Sequence, residues 1–111
     1  MQKTEFEGIC LNVPDDVYLP SDDSFLLAEA SVSLKGKILE LGCGSGIVSL
    51  FNAKANPQNT VFGVDINPSA IASANENAKL NSIGNTTFVE SDLFDAIPDA
   101  SFDAILFNPP Y

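Results

Sequence analysis

Four short stretches of this chain place chemistry-bearing residues just beyond strand-like runs. The most specific is Asn108-Pro109-Pro110-Tyr111, directly after the apolar run Phe102 to Phe107. An amide or exocyclic amine nitrogen is planar, its lone pair is delocalised, and it is a poor nucleophile. A site improves it by accepting both of its N–H bonds. The Asn108 side-chain oxygen and the Pro109 carbonyl could do so. The two prolines stiffen the turn and limit the entropy lost on binding, and Tyr111 offers a face for a planar group. The second stretch is Glu40-Leu41-Gly42-Cys43-Gly44-Ser45-Gly46, which reads as a strand-to-helix turn. Its glycines allow a sharp turn and close approach of a ligand, and the next helix would begin with unsatisfied N–H groups. The third is Asp65, a carboxylate placed to accept hydrogen bonds from both hydroxyls of a ribose. The fourth is Ser91-Asp92-Leu93. Asp92 lies nearest the end of its strand, where ligands bind in open α/β sheets.

The elements that must position these groups alternate along the chain. Ser21 to Leu34 reads as a helix, with Pro20 before it, Ser21 as N-cap and Asp22 and Asp23 at the positive end of the helix dipole. Leu27, Ala30 and Leu34 recur on one face. Lys37 to Leu41 is a short buried strand. A second helix starts near Gly46, with Ile47, Leu50 and Phe51 as its stripe, and Asn56-Pro57 stops it. Thr60 to Val64 is a strand running into Asp65. Asn67 caps a third helix with Pro68 in its first position, where the missing N–H costs nothing. Ile71, Ala74 and Ala78 form its inner face. Thr86 to Glu90 and Phe102 to Phe107 are the last strands, the latter apolar enough to be covered on both faces. Strands alternating with helices imply a parallel sheet with crossover helices, in one domain spanning residues 1–111. No element is read in Met1 to Asp16.

Composition narrows the function. Fifteen acidic residues against five lysines, with no arginine, give a net charge of −10. Phosphate neutralisation and bidentate guanine reading need Lys and Arg, so nucleic acid is disfavoured as a direct partner. Histidine is absent, which rules out an imidazole base within the chain. Two distant cysteines form neither a disulfide framework nor a zinc site. The sequence shows neither a signal peptide nor a run long enough to span a membrane, and a cytoplasmic location is expected.

Together these motifs resemble the HemK-like protein methyltransferases, which methylate the glutamine amide in a Gly-Gly-Gln motif of translation release factors. A dinucleotide turn would place glycine where this chain has Ile47. The glycines fall instead as G-x-G-x-G, as in class I methyltransferases. The segment Val17-Tyr18-Leu19-Pro20-Ser21-Asp22-Asp23-Ser24-Phe25-Leu26-Leu27 is similar to a segment of the archaeal and eukaryotic branch. The resemblance implies a Rossmann-like three-layer α/β/α fold and the cofactor S-adenosylmethionine (SAM). It implies a cofactor set of Ser24, Glu40, Gly42, Gly44, Asp65, Asp92, Leu93 and Asn108. Glu40 would lie near the methionine amino group, and Asp92 would accept from the adenine amine. Asn108, Pro109, Pro110 and Tyr111 would hold the acceptor amide. A release factor is the implied substrate and a small zinc-binding protein an implied activator.

A complete fold of this kind has seven strands, and this chain supplies the first four. It therefore resembles the N-terminal half of the domain. Phe102 to Phe107 is expected at a sheet edge, open to self-association, and turnover by the chain alone is not expected. Two alternatives remain: an adenine-N6 methyltransferase, which needs the same Asn-Pro-Pro-Tyr chemistry, and a non-catalytic SAM-binding fragment. An NAD-dependent oxidoreductase is a distant fourth reading.

Overall fold

The structure is a computed structural model that describes residues 1–92 and 101–107. Leu93 and the Asn108-Pro109-Pro110-Tyr111 motif lie outside the described residues. The chain begins with a hairpin that sequence patterning missed: β1 (Gln2–Phe6) pairs antiparallel with β2 (Ile9–Val13). Glu7 and Gly8 form its two-residue turn, both at positive φ (48° and 86°). Two-residue turns of this hand match the right-handed twist of the strands, and Asn-Gly is their usual signature. Glu at the first position hides the turn from a sequence reading. Ile9, Leu11 and Val13 alternate inward from β2 and are buried.

The hairpin is fastened by aromatic packing. Phe6 stacks on Phe25 with ring centroids 4.4 Å apart and contacts Phe51 at 5.3 Å. Phe25 belongs to α1 (Asp22–Ser31), and this helix is shorter than the sequence predicts. Its inner face is Ala28 and Ser31, both buried, while Ala30 is exposed. Of the predicted Leu27–Ala30–Leu34 stripe, Leu27 and Leu34 pack against the core and only Ala30 is corrected to the exposed side. The chain leaves the helix after Ser31, and Leu34 N–H donates to the Ser31 carbonyl in a turn.

The remaining elements follow the expected alternation: β3 (Lys37–Leu41), α2 (Ile47–Ala55), β4 (Thr60–Asp65), α3 (Pro68–Leu80), β5 (Thr86–Glu90) and β6 (Ala104–Phe107). The four strands β3 to β6 form one parallel sheet in the order β5-β4-β3-β6. Chain order reverses at β3, whose neighbours are β4 and β6. In open parallel sheets such a reversal leaves a crevice beyond the strand ends.

On one face of the sheet, Ile38, Val61, Phe88 and Leu106 join Ala28 of α1, Leu50 of α2 and Ala74 of α3 in a single core, to which β2 also contributes. On the other face, Leu39, Leu41 and Val64 are buried beside Phe62, Val89 and Phe102. β6 departs from the expectation of a strand covered on both faces. Leu106 is buried, but Ile105 and Phe107 are 51% and 53% exposed. They sit in register beside Leu39 and Leu41 on the second face, and β6 is one of the two edge strands of the sheet, with β5 at the other edge. No helix among the described residues is long and apolar enough to cross a membrane.

Phe6 carries the junction between hairpin and helices. Phe6→Ala is expected to destabilise the protein by about 2 kcal/mol, below the cost at a fully buried ring because Phe6 is half-buried. Urea unfolding measures the loss, and earlier amide exchange in β1 and β2 would localise it.

Candidate functional site

The sheet delivers the candidate residues to one end. The turn after β3 carries the glycines, Asp65 ends β4, Asp92 follows β5, and Phe107 ends β6. The glycine turn is laid against the end of β4. The Val64 carbonyl accepts from both Gly42 N–H (2.8 Å) and Cys43 N–H (2.9 Å). Asp65 Oδ2 accepts from Gly44 N–H at 2.9 Å, and its Oδ1 accepts from Asn67 N–H at 3.0 Å. Asn67 in turn caps α3, accepting from Ser69 N–H at 2.9 Å, with Pro68 first in the helix as the sequence predicts.

Gly42 and Gly44 adopt positive φ (71° and 56°), and nothing lies within 4 Å of where a side chain would project from either. That space belongs to a cavity of about 620 Å³. Gly46 differs: with φ at 99° it starts α2, and a side chain there would meet Ala74, Leu50 and Phe88. The first two glycines leave room for a ligand, while the third lets the helix approach its neighbours.

The cavity brings together Ser24, Glu40, Gly42, Gly44, Asp65 and Asp92 from the predicted set. Ser24 also serves the helix, its Oγ accepting from Ser21 N–H at 3.2 Å. Five carboxylates line the cavity (Asp16, Asp23, Glu40, Asp65 and Asp92), and no lysine does so among the described residues. Such a wall favours a cationic ligand. Sequence reasoning singled out Val17 to Pro20 within a family-like segment but did not place them, or Asp16, at the site. Asp16 is tied to the start of α3, its carbonyl accepting from Asn67 Nδ2 (2.9 Å) and its Oδ1 from Ser69 Oγ (2.8 Å). Tyr18, Leu19 and Ile66 give the mouth an exposed apolar rim. Nothing local in the sequence ties residue 16 to residue 69.

Residues 21–111 match the family model for the methyltransferase small domain. The chain belongs to this family. A Methanocaldococcus jannaschii protein assigned as a protein N5-glutamine methyltransferase is 50% identical over 108 residues, covering 96% of this chain and 53% of the relative. A release factor glutamine methyltransferase of Fusobacterium nucleatum is 38% identical over 113 residues, covering 96% of this chain and 32% of its own length. The chain thus spans about half of the first relative and a third of the second. Among solved structures, a Pyrococcus abyssi tRNA (uracil-54, C5)-methyltransferase in complex with S-adenosyl-L-homocysteine superposes with a TM-score of 0.80 at 21% identity. It covers 98% of this chain and 28% of its own. The fold is that of Rossmann-like class I methyltransferases, present here as part of the domain.

Within the cavity the acidic groups are unequal. Glu40 is buried on β3, and Ser49 of α2 holds its Oε1 through the hydroxyl (2.7 Å) and the backbone N–H (3.2 Å). Burial dominates over these two bonds and raises the Glu40 carboxyl from 4.5 to about 8, with the Asp65 charge adding to the rise. Burial likewise pushes the Cys43 thiol up, with Glu40 and Asp65 contributing, so Cys43 is held as a thiol rather than a nucleophilic thiolate.

The Glu40 shift has a consequence for stability. A carboxyl whose folded pKa is raised contributes stability that is fully present below its unfolded pKa and lost as pH rises through its folded pKa. The ligand-free protein should therefore lose up to about 1.4 kcal/mol per pH unit between pH 4.5 and 8 from this group. Denaturant titrations across that range should show the decline, and Glu40→Gln should remove it.

Proposed function

We propose that this chain is the SAM-binding part of a protein-glutamine N-methyltransferase, forming one domain over residues 1–111 and acting on a protein such as a translation release factor. The observation that carries the reading is the pairing of an open glycine turn with Glu40 and Asp65 at adjacent strand ends of a methyltransferase-family fold. The relatives assigned as glutamine methyltransferases support the acceptor.

The residues present fit SAM. The empty space beside Gly42 and Gly44 admits a ligand against the backbone. Asp65 retains acceptor capacity for two ribose hydroxyls, because an ionised carboxylate has about four lone-pair sites and two are taken by Gly44 and Asn67. Glu40 faces the cavity from below and would bind the ammonium of the methionine portion. That cation would draw the Glu40 proton off. Asp92 would accept from the adenine amine, with Leu93 beside it and Ser24 closing from α1. When bound, SAM supplies a methyl group already activated on a sulfonium, which leaves the protein to orient and shield. Asn108 and Pro109 would accept the two N–H bonds of the glutamine amide, with Pro110 and Tyr111 completing the acceptor site. No strong general base is required, because methylation itself makes the nitrogen acidic.

The net charge of −10 and the absence of arginine favour a protein acceptor over nucleic acid. Two free cysteines accord with a cytoplasmic setting. The open edge of β6, with Ile105 and Phe107 half exposed, is the surface proposed for association. Sedimentation of the chain separates the two candidate occupants. A dimer supports a second copy, a monomer removes that occupant, and co-sedimentation with a small zinc-binding protein would support the activator that the resemblance implies.

The acceptor is tested on a polypeptide that carries this chain within a complete methyltransferase domain, with labelled SAM, a release factor and an adenine-containing oligonucleotide offered side by side. Label in a glutamine side chain of the release factor is expected, and label only in the oligonucleotide would overturn the assignment. SAM calorimetry on Asp65→Asn should show binding weakened about 10- to 100-fold, the scale of one or two lost charge-assisted hydrogen bonds. Unchanged affinity would remove Asp65 from the site.

A further inference from the structure

Asn77 of α3 and Asn81, which caps the end of that helix, complete the hairpin as a third strand would. Asn81 accepts from Cys10 N–H (2.8 Å) through Oδ1 and donates to the Cys10 carbonyl (2.7 Å) through Nδ2. Asn77 treats Asn12 the same way, accepting from its N–H at 2.9 Å and donating to its carbonyl at 3.1 Å. The spacing explains the match. Residues four apart on a helix rise about 6 Å. Residues two apart on a strand rise about 6.7 Å. The otherwise open edge of β2 is thereby satisfied by side chains.

Asn77 does one thing that Asn81 does not. Its Nδ2 also donates to the carbonyl of Ser45, inside the glycine turn, at 3.0 Å. Asn77 is fully buried, so an acceptor or donor left unmatched there would be costly. The Ser45–Gly46 peptide is held at both ends. Asn77 binds its carbonyl, and its N–H donates to the Cys43 carbonyl at 3.0 Å. That peptide sets the positive φ of Gly46, from which α2 departs, and α2 brings Ser49 to Glu40.

We infer that Asn77 is a positioning residue for cofactor binding, and that the N-terminal hairpin supports the glycine turn through this one amide. The inference rests on the reading of the turn as a SAM site. Asn77 does not line the cavity, and it acts by fixing the plane of the Ser45–Gly46 peptide.

The test compares Asn77→Ala, Asn77→Asp, Asn81→Ala and Asn12→Pro by SAM calorimetry and by amide exchange at Gly46. Asn77→Ala and Asn77→Asp both lose the donor to Ser45. Each should bind SAM at least 10-fold more weakly and exchange the Gly46 amide at least 10-fold faster. Asn81→Ala loses hairpin bonds without touching the turn, and should stay within 2-fold of the parent in both readouts. Asn12→Pro removes the N–H that Asn77 accepts, together with the Asn12 side chain, and leaves the Asn77 donor to Ser45 in place. It should weaken SAM binding about 3-fold, and it decides the matter should the Asn77 variants fail to fold. Parental affinity and Gly46 protection in a folded Asn77 variant would overturn the inference. So would an equal loss in Asn81→Ala, which would reduce the effect to general stability. Should the parent bind no SAM, the functional reading falls, and Gly46 exchange alone decides the role of Asn77.

Discussion

Three consecutive amides of one turn hang from the end of one strand. Gly42 and Cys43 share the Val64 carbonyl, and Gly44 is held by the Asp65 carboxylate. This docking extends the β3–β4 pairing beyond the sheet and fixes where the turn opens. The other oxygen of Asp65 holds Asn67, so the same carboxylate also sets the start of α3. Residues 16 to 20 follow, because Asp16 is bound by Asn67 and Ser69. Cavity floor and cavity rim thus trace back to the end of β4.

The chemistry inside follows from what is buried. Glu40 lies under the turn with a hydroxyl and an amide as its only hydrogen-bond partners among the described residues, and burial outweighs both. A carboxyl in that state is a poor structural anchor and a good receptor for a cation, because a positive partner both charges it and satisfies it. The surrounding carboxylates point the same way. The proposed occupant, SAM, carries such a cation, and the chain belongs to a methyltransferase family.

Features set by short-range chemistry were legible in the sequence. The glycine spacing, the Asn67-Pro68 cap and the position of Asp65 at the end of a strand-like run are local signals, although the glycine turn is docked on the distant Val64 and Asp65. The parallel order followed from the alternation of strands and helices. Features set by distant partners were not legible. The hairpin turns on Glu7 at positive φ and is completed by Asn77 and Asn81, more than sixty residues on. The end of α1 depends on Ser31, a polar residue whose buried hydroxyl donates to the Ala28 carbonyl, where hydrophobic periodicity looked for Ala30 and carried the helix on to Leu34. The sequence anticipated β6 at a sheet edge, but its apolar run suggested cover on both faces, whereas Ile105 and Phe107 are half exposed on the second face. Leu93 and Asn108 to Tyr111 were singled out by sequence and lie outside the described residues.

The central claim is that the strand ends of β3, β4 and β5 form a SAM site, and backbone NMR during a SAM titration tests it most directly. The account predicts saturable shifts concentrated at the amides of Gly42, Gly44, Asp65 and Asp92, with the hairpin turn at Glu7 and Gly8 unmoved. Shifts clustered away from the glycine turn, or none at millimolar SAM, would contradict it.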